Sequence, residues 1–416
     1  MIYIKKVKLY PPYIVLITIY LFFIVVAFIL DSPMEILTGL KKIILSPDIL
    51  ISDYVEIGGI GASLINSALT SLFALFILVF IGVKPNGSTI MSLWLICGFS
   101  FFGKNIFNIW PIIIGVYLYS RYQKEPFLNY SLVAMLSTTL APTVSQLSFT
   151  NYFSKPIGII LGYIIGILTG FILAPISSHC IKVHNGYNLY NVGFSAGIYA
   201  TLLMAILRAL GIEFESRMLW NTESNFIFAI LLLILSIYLI ILGIYKNSSI
   251  NKDFLSLIKQ PGRLVSDFYI SFGNTCYFNM GILCLLSTIL VLALKSNLNG
   301  PTIAGIFTIV GFGAFGKHPV NVIPIIIGAI LGALININPI NSPSLILSIL
   351  FSTALAPVAG KFGYKIGILA GFLHVNMVTN IGYLHGGLNL YNNGLAAGFV
   401  AMILIPVINV FKEETL

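Results

Sequence analysis

Charge is what this sequence has least of. Only 8% of its 416 residues are Asp, Glu, Lys or Arg, while 58% are apolar. A soluble domain carries about 25% charged residues, so most of this surface does not face water. Carboxylates are the scarcest of all, 13 against 22 Lys and Arg. Almost none falls inside an apolar run; Asp53, Glu56 and Asp267 stand at the edges of such runs. Carriers driven by sodium ions or protons usually bury Asp or Glu, so any coupling here is expected to fall to histidine, or the path to be passive. The four cysteines, Cys97, Cys180, Cys276 and Cys284, form no CxxC pattern and read as small buried hydrophobes. There is no Walker motif, HExxH or GxSxG, which argues against ATP hydrolysis, zincin chemistry and a serine hydrolase. No cofactor and no metal site are expected.

Long uncharged runs are present instead: Tyr13–Leu30, Ile60–Val83, Pro156–Ser178, Phe226–Tyr245 and Tyr269–Leu294. Each is near or above the roughly 20 residues an α-helix needs to cross the hydrocarbon. Backbone groups in lipid must be paired within the segment. These runs also lack the alternation of barrel strands. The expected fold is an all-α polytopic membrane protein. The basic N-terminus precedes a long apolar stretch without a small-x-small cleavage site, so it reads as a retained first span.

An internal repeat organises the chain. GFSFFGKNIFNIWPIIIG (98–115) aligns without a gap to GFGAFGKHPVNVIPIIIG (311–328), with 11 of 18 positions identical. ISDYV (51–55) faces VSDFY (265–269), Asn86-Gly87 faces Asn299-Gly300, STTLAP (137–142) faces STALAP (352–357), and GYIIGILTGF (162–171) faces GYKIGILAGF (363–372). The divisions are 1–50, an N-terminal span and interfacial segment; 51–211, the first unit; 212–264, a connecting span and cytoplasmic loop; and 265–412, the second unit. About 12–14 membrane segments are expected, some of them short, broken or re-entrant.

The distribution of basic residues orients the copies. With Lys5, Lys6 and Lys8 in the cytoplasm, 13 Lys and Arg fall inside and six outside. The first unit then starts outside and the second inside, so the units are expected to be inverted repeats in the cytoplasmic membrane.

Polar chemistry concentrates in three motifs. Thr89–Gly103 and Ile106–Tyr119 are too short to span comfortably and flank Lys104, as their counterparts flank Lys317. These lysines either snorkel from a tight turn or, with adjacent half-helix termini, attract a solute. Asn108 with Pro111, and Asn321 with Pro324, are expected to break the second half-helix. Ser137, Thr138, Ser352 and Thr353 precede Pro142 and Pro357; they cap freed carbonyls or line a path. HNGYNLYNVGFSAG (184–197) and HGGLNLYNNGLAAG (385–398) are the most distinctive pair. Their glycines suit close helix packing at Gly193/Gly197 and Gly394/Gly398. The polar set His184/His385, Asn188/Asn389, Tyr190/Tyr391 and Asn191/Asn392 exceeds what packing requires. Asp53 and Asp267 are expected to cap helices.

Taken together, ISDYVEIGGIGASLINSAL, GFxxFGKxxxNxxPIIIG and HxGxNLYNxGxxAG resemble the duplicated bacterial membrane family known as domain of unknown function 1576. The likeness covers nearly the whole chain and implies membrane residence. Gly186-Tyr187-Asn188 with Gly193 is also similar to a motif of urea channels, which implies a narrow amide- and hydroxyl-lined path. Leu388 replaces the aromatic residue in the second copy.

The expected function is a transporter or channel for a small polar or anionic solute. Asn188, Asn191, Asn389 and Asn392 would replace its hydration shell, His184 and His385 would gate or protonate, and Lys104 and Lys317 would attract anions. The alternatives are a membrane-embedded enzyme acting on a lipid-like substrate and a non-catalytic assembly subunit. Expected partners are membrane lipid and the solute, with no nucleic acid; a homo-oligomer is left open.

Overall fold

The computed structural model describes residues 9–150, 152–264 and 266–413. Lys5, Lys6 and Lys8, on which the orientation rests, lie outside the described residues, as does Val265 of the repeat alignment. Among the described residues there is no β-strand beyond one isolated bridge, Ser52 to Leu219.

Helix α1 (Pro11–Leu30) leads into α2 (Pro33–Ile44). The latter buries Ile36, Gly39 and Ile43 on one face and starts with a Ser32/Glu35 capping box. The first unit then contributes α3 (Tyr54–Gly58), α4 (Ile60–Phe80), α5 (Gly87–Phe99), α6 (Ile109–Tyr122), α7 (Ser131–Ser137), α8 (Ala141–Phe149), α9 (Lys155–Val183) and α10 (Asn191–Ala209). A connecting pair follows, α11 (Asn225–Ile244) and α12 (Ile250–Leu257). The second unit repeats the first helix by helix: α13 (Phe268–Phe272), α14 (Thr275–Ala293), α15 (Gly300–Phe312), α16 (Pro319–Leu334), α17 (Pro343–Ser352), α18 (Ala356–Phe362), α19 (Tyr364–Ile381) and α20 (Asn392–Glu413). Among the described residues, ten helical stretches are long and apolar enough to cross a membrane, and three shorter apolar helices accompany them. The protein is an all-helical, multi-pass membrane protein built from two like units.

Helix association in lipid relies on close packing rather than on the hydrophobic effect, and here backbones touch at equivalent glycines. A Cβ on Gly115 or Gly170 would lie 2.1 Å from Ile167 O or 2.0 Å from Ile112 O, which presses α6 against α9. Gly328 and Gly371 do the same for α16 and α19, at 1.8 Å from Ile368 O and 2.0 Å from Ile325 O. The two units meet along α5 with α15 and along α10 with α20. At the second crossing a Cβ on Gly394 would lie 2.8 Å from Gly193 Cα, so the two motif glycines face one another across the boundary.

The carboxylates at the unit edges are caps, as expected, and each serves both units. Asp53 accepts from Val55 N at 2.9 Å in its own α3 and from Gly300 N at 3.2 Å, the first residue of α15. Asp267 accepts from Ile270 N at 2.9 Å in α13 and from Gly87 N at 2.8 and 3.0 Å, the first residue of α5. Each aspartate thus holds orphan N–H groups at the start of the other unit's short helix.

The proline expectation differs in detail. Helices α6 and α16 begin at Ile109 and Pro319 and run on through Pro111 and Pro324. The break falls earlier, in the turns 100–108 and 313–318. Pro111 is the third residue of α6, where an N–H would have no partner anyway, while Pro324 lies inside α16 and removes one intrahelical bond without ending the helix.

Candidate functional site

The turns after α5 and α15 place the two FGK lysines. Both helices are short, 13 residues or about 20 Å at 1.5 Å per residue, so they end inside the protein. Asn66 on α4 receives each unpaired carbonyl of the first turn, donating to Ser100 O at 2.6 Å and Lys104 O at 2.9 Å. Asn279 on α14 makes the equivalent pair, to Gly313 O and Lys317 O, both at 2.8 Å. These buried amides fix the turns and aim the lysines inward.

Neither lysine snorkels; both are 0% exposed. Lys104 Nζ donates to Tyr391 Oη at 2.7 Å, and Lys317 Nζ donates to Tyr190 Oη at 2.5 Å and Thr353 Oγ1 at 2.7 Å. The lysine of each unit is therefore received by the tyrosine of the other unit's histidine motif. Ring faces complete the surroundings: Lys104 stands 5.4 Å from the Phe99 centroid and 4.8 Å from that of Tyr391. Lys317 stands 5.0 Å from Phe312 and 4.6 Å from Tyr190. Among the described residues the one salt bridge joins Arg208 to Glu213 at 3.2 Å, so no carboxylate is paired with either lysine.

Between the two tyrosines lies a cavity of about 20 Å³, room for about one water molecule. Its wall is built of equivalent pairs, among them Phe99 with Phe312 and Leu189 with Leu390. A second, half-open cavity of about 660 Å³ lies beside the second motif and includes Arg208, Tyr383, His385 and Asn392. Phe351, Leu390 and Asn393 line both cavities, so their side chains are the wall between them.

The amides of the motifs serve a different purpose from the tyrosines. Asn188 accepts from Tyr190 N at 2.9 Å and donates to Gly394 O at 3.0 Å. Asn389 accepts from Tyr391 N at 3.0 Å and from Thr139 Oγ1 at 2.9 Å, and donates to Gly193 O at 3.2 Å. They brace each tyrosine and tie it to the opposite unit. His184 and His385 pair through Nε2 with Asn191 Oδ1 at 3.0 Å and Asn392 Oδ1 at 2.8 Å. Asn191 also donates to Ser177 O at 2.8 Å. The histidines therefore sit behind the motif loops, His385 on the larger cavity and His184 fully buried.

The hydroxyl motif divides. Thr138, Ser352 and Thr353 donate back to Met135 O, Ile349 O and Leu350 O, and Thr353 alone of these also receives a lysine. Ser137 Oγ is buried without a hydrogen-bond partner. Asn108 and Asn321 shape the turns, donating to Gly103 O at 3.0 Å and Gly316 O at 2.9 Å.

One group escaped the sequence reading. Asp48 is 1% exposed, accepting from Tyr54 Oη at 2.8 Å, Asn105 Nδ2 at 3.2 Å and Asn108 Nδ2 at 3.0 Å. A buried carboxylate is present after all, in the segment before α3. Burial pushes it up to about 7, against the hydrogen bonds from Ser145, Tyr54, Asn108 and Ser46. Extending the repeat upstream exposes the signal: Ser46-Pro47-Asp48-Ile49-Leu50 faces Gln260-Pro261-Gly262-Arg263-Leu264. Asp48 takes φ 54° where its counterpart Gly262 takes 69°, and there His318 Nε2 meets Gln260 O at 2.8 Å instead.

The architecture and this shared, lysine-bearing interface define a duplicated multi-pass membrane protein. The chain belongs to the family described as protein of unknown function (DUF1576), whose model matches residues 32–209 and 246–410, one stretch over each unit. No curated protein and no solved structure matches the chain, and the expected likeness to urea channels is not shown.

Proposed function

We propose that the protein moves a small anionic or polar solute across the cytoplasmic membrane, through the interface of two inverted repeats. The observation that carries this reading is the pair of buried lysines that have hydroxyl and aromatic neighbours but no carboxylate. A buried ammonium without a counter-charge is costly, and a transient anion between Tyr190 and Tyr391 relieves that cost. The larger cavity supplies access from one side, with Phe351 and Leu390 as the barrier before the centre. His385, Asn392 and Asn393 offer polar contacts along the approach, while Asn188 and Asn389 hold the tyrosines in position.

Inversion is supported by the basic loops and by parity. Five candidate spans separate the start of the first unit from that of the second: Ile60–Phe80, Phe127–Phe149, Lys155–Val183, Asn191–Ala209 and Asn225–Ile244. If the α5–α6 hairpin returns to its own side, the odd count favours opposite orientations of the two units. Accessibility tags after residues 35 and 255 then report opposite faces, and tags on one face refute inversion.

Purified protein in liposomes is assayed with nitrate, formate, phosphate, urea and glycerol. Flux of at least one anion above that of empty vesicles, reduced by Lys104→Met and by Lys317→Met, is expected. Equal leakage of all five solutes in loaded and empty vesicles sinks the proposal.

A further inference from the structure

The long apolar helices are poor in carboxylates, and a buried carboxylate lies just outside them. Asp48 lies between α2 and α3, outside every helix long enough to cross the membrane, yet it is sealed within the first unit. It touches the α5–α6 turn through Asn105 and Asn108, and α3 through Tyr54. The same turn carries Lys104, the residue before Asn105, whose ammonium reaches the central Tyr391. The groups facing Asp48 are neutral amides and hydroxyls, Tyr54 being the titratable one among them. Asp53, the other buried carboxylate nearby, is engaged by three main-chain N–H groups, from Val55, Asn221 and Gly300, and belongs to the helix caps. Glu213 and Glu215 line a cavity with Pro47 and Ile49, the neighbours of Asp48 in the chain, and with Ile49 they also line the larger cavity.

We propose that Asp48 is a proton-binding site coupled to anion occupancy beside Lys104, so that proton uptake and anion binding assist one another. The inference rests on the anion reading of the central site. The carboxylate takes up one proton and becomes a neutral carboxylic acid. If Oδ1 is protonated, the bond to Tyr54 reverses, with the carboxyl donating and the phenol oxygen accepting. Neutralisation removes a negative charge from the turn that carries Lys104. In a medium of low dielectric constant, the lysine then attracts a solute anion without competition from a fixed carboxylate. Linkage makes the effect mutual: an anion at Lys104 raises the proton affinity of Asp48 by the same factor. The second unit has Gly262 at this place and a main-chain carbonyl on His318, so the proton site belongs to one end of the pathway only.

The test is infrared difference spectroscopy of the purified full chain between about pH 5 and about pH 9, on either side of neutrality. Spectra are recorded without added anion and with nitrate, formate or phosphate. A protonated-carboxyl signal that titrates near neutrality is expected. Burial pushes Asp53 up to about 7 as well, so the Asp48 band is the part of that signal lost in both Asp48→Asn and Asp48→Gly, the latter copying the second unit. At least one anion should raise its midpoint by about one pH unit, a tenfold coupling, and Lys104→Met should abolish that shift. A signal that neither Asp48 substitution diminishes, or an Asp48 band whose midpoint none of the three anions moves, overturns the proposal. A midpoint that moves in protein showing no flux sustains the proton site and removes the transport reading.

Discussion

Replacing Tyr391 with Phe deletes one oxygen and leaves the ring. The cation–π contact with Lys104 at 4.8 Å is retained, while the sole hydrogen bond of that ammonium among the described residues, 2.7 Å long, is lost. A hydrogen bond to a charged group contributes about 1.5–3 kcal/mol, and a buried charge left without an acceptor costs its desolvation. Tyr391→Phe is therefore expected to lower stability by about 2–3 kcal/mol. The equivalent Tyr190→Phe leaves Lys317 on Thr353 at 2.7 Å, so its loss should be nearer 1 kcal/mol. Thr353→Val alone leaves Tyr190 as the acceptor and should also be mild. Tyr190→Phe with Thr353→Val strands Lys317, and the pair should cost more than the sum of its singles. Thermal unfolding of the four variants in one detergent orders them. If Tyr391→Phe is no less stable than Tyr190→Phe, or if the double variant is merely additive, the buried lysines do not depend on these hydroxyls.

Four further outcomes follow from other contacts. Gly394→Ala drives a Cβ to 2.8 Å from Gly193 Cα and 3.0 Å from Tyr190 O, backbone atoms with nowhere to go, and should cost about 1–3 kcal/mol. Gly382→Ala meets nothing nearer than Asn392 Nδ2 at 4.0 Å and should leave the melting temperature unchanged or slightly higher. Burial pushes Asp48 up to about 7, above the usual carboxylate value of about 3.9, so the folded protein binds this proton more tightly than the unfolded chain. Its stabilising contribution is present below about pH 4 and is lost as pH rises through neutrality; the wild type should lose stability over that window relative to Asp48→Asn, and parallel pH profiles would refute this. Asp53→Asn should destabilise more than Asp267→Asn, because Asp53 is fully buried with three main-chain donors whereas Asp267 is partly exposed. Chemical unfolding of the two variants side by side decides the order.

The membrane class, the duplication and the packing glycines were legible in the sequence because each leaves a one-dimensional trace. Apolar length, recurrence and the absence of a side chain are all visible in the letters. The cap role of Asp53 and Asp267 was legible for the same reason, since both precede short helices. What a repeat cannot reveal is whether a residue's partner lies in its own copy or the other. Lys104 and Lys317 were recognised as a pair, and so were Tyr190 and Tyr391, but the exchange between them is a property of three dimensions. The amides of Asn188 and Asn389 look like solute ligands in the sequence for want of that information, and the fold spends them on holding backbone. Asp48 was hidden by the method that found the rest. Comparison of the copies highlights what recurs, and its counterpart is a glycine.

The exchanged contacts carry a consequence for origin and assembly. Each lysine, each capping aspartate and each bracing asparagine has a partner in the opposite copy, beside those that some of them find in their own. Neither half can satisfy its own buried groups alone. Such reciprocity has the form of a two-fold homodimer whose genes were duplicated and fused, with α11 and α12 as the tether that joins them. A nascent first half would emerge with Lys104 lacking its hydroxyl and the Gly87 N–H of α5 lacking Asp267, incomplete until the second half arrives. Cutting the chain within 246–252 and expressing the two pieces together should return a paired complex, while either piece alone should be cleared by proteolysis.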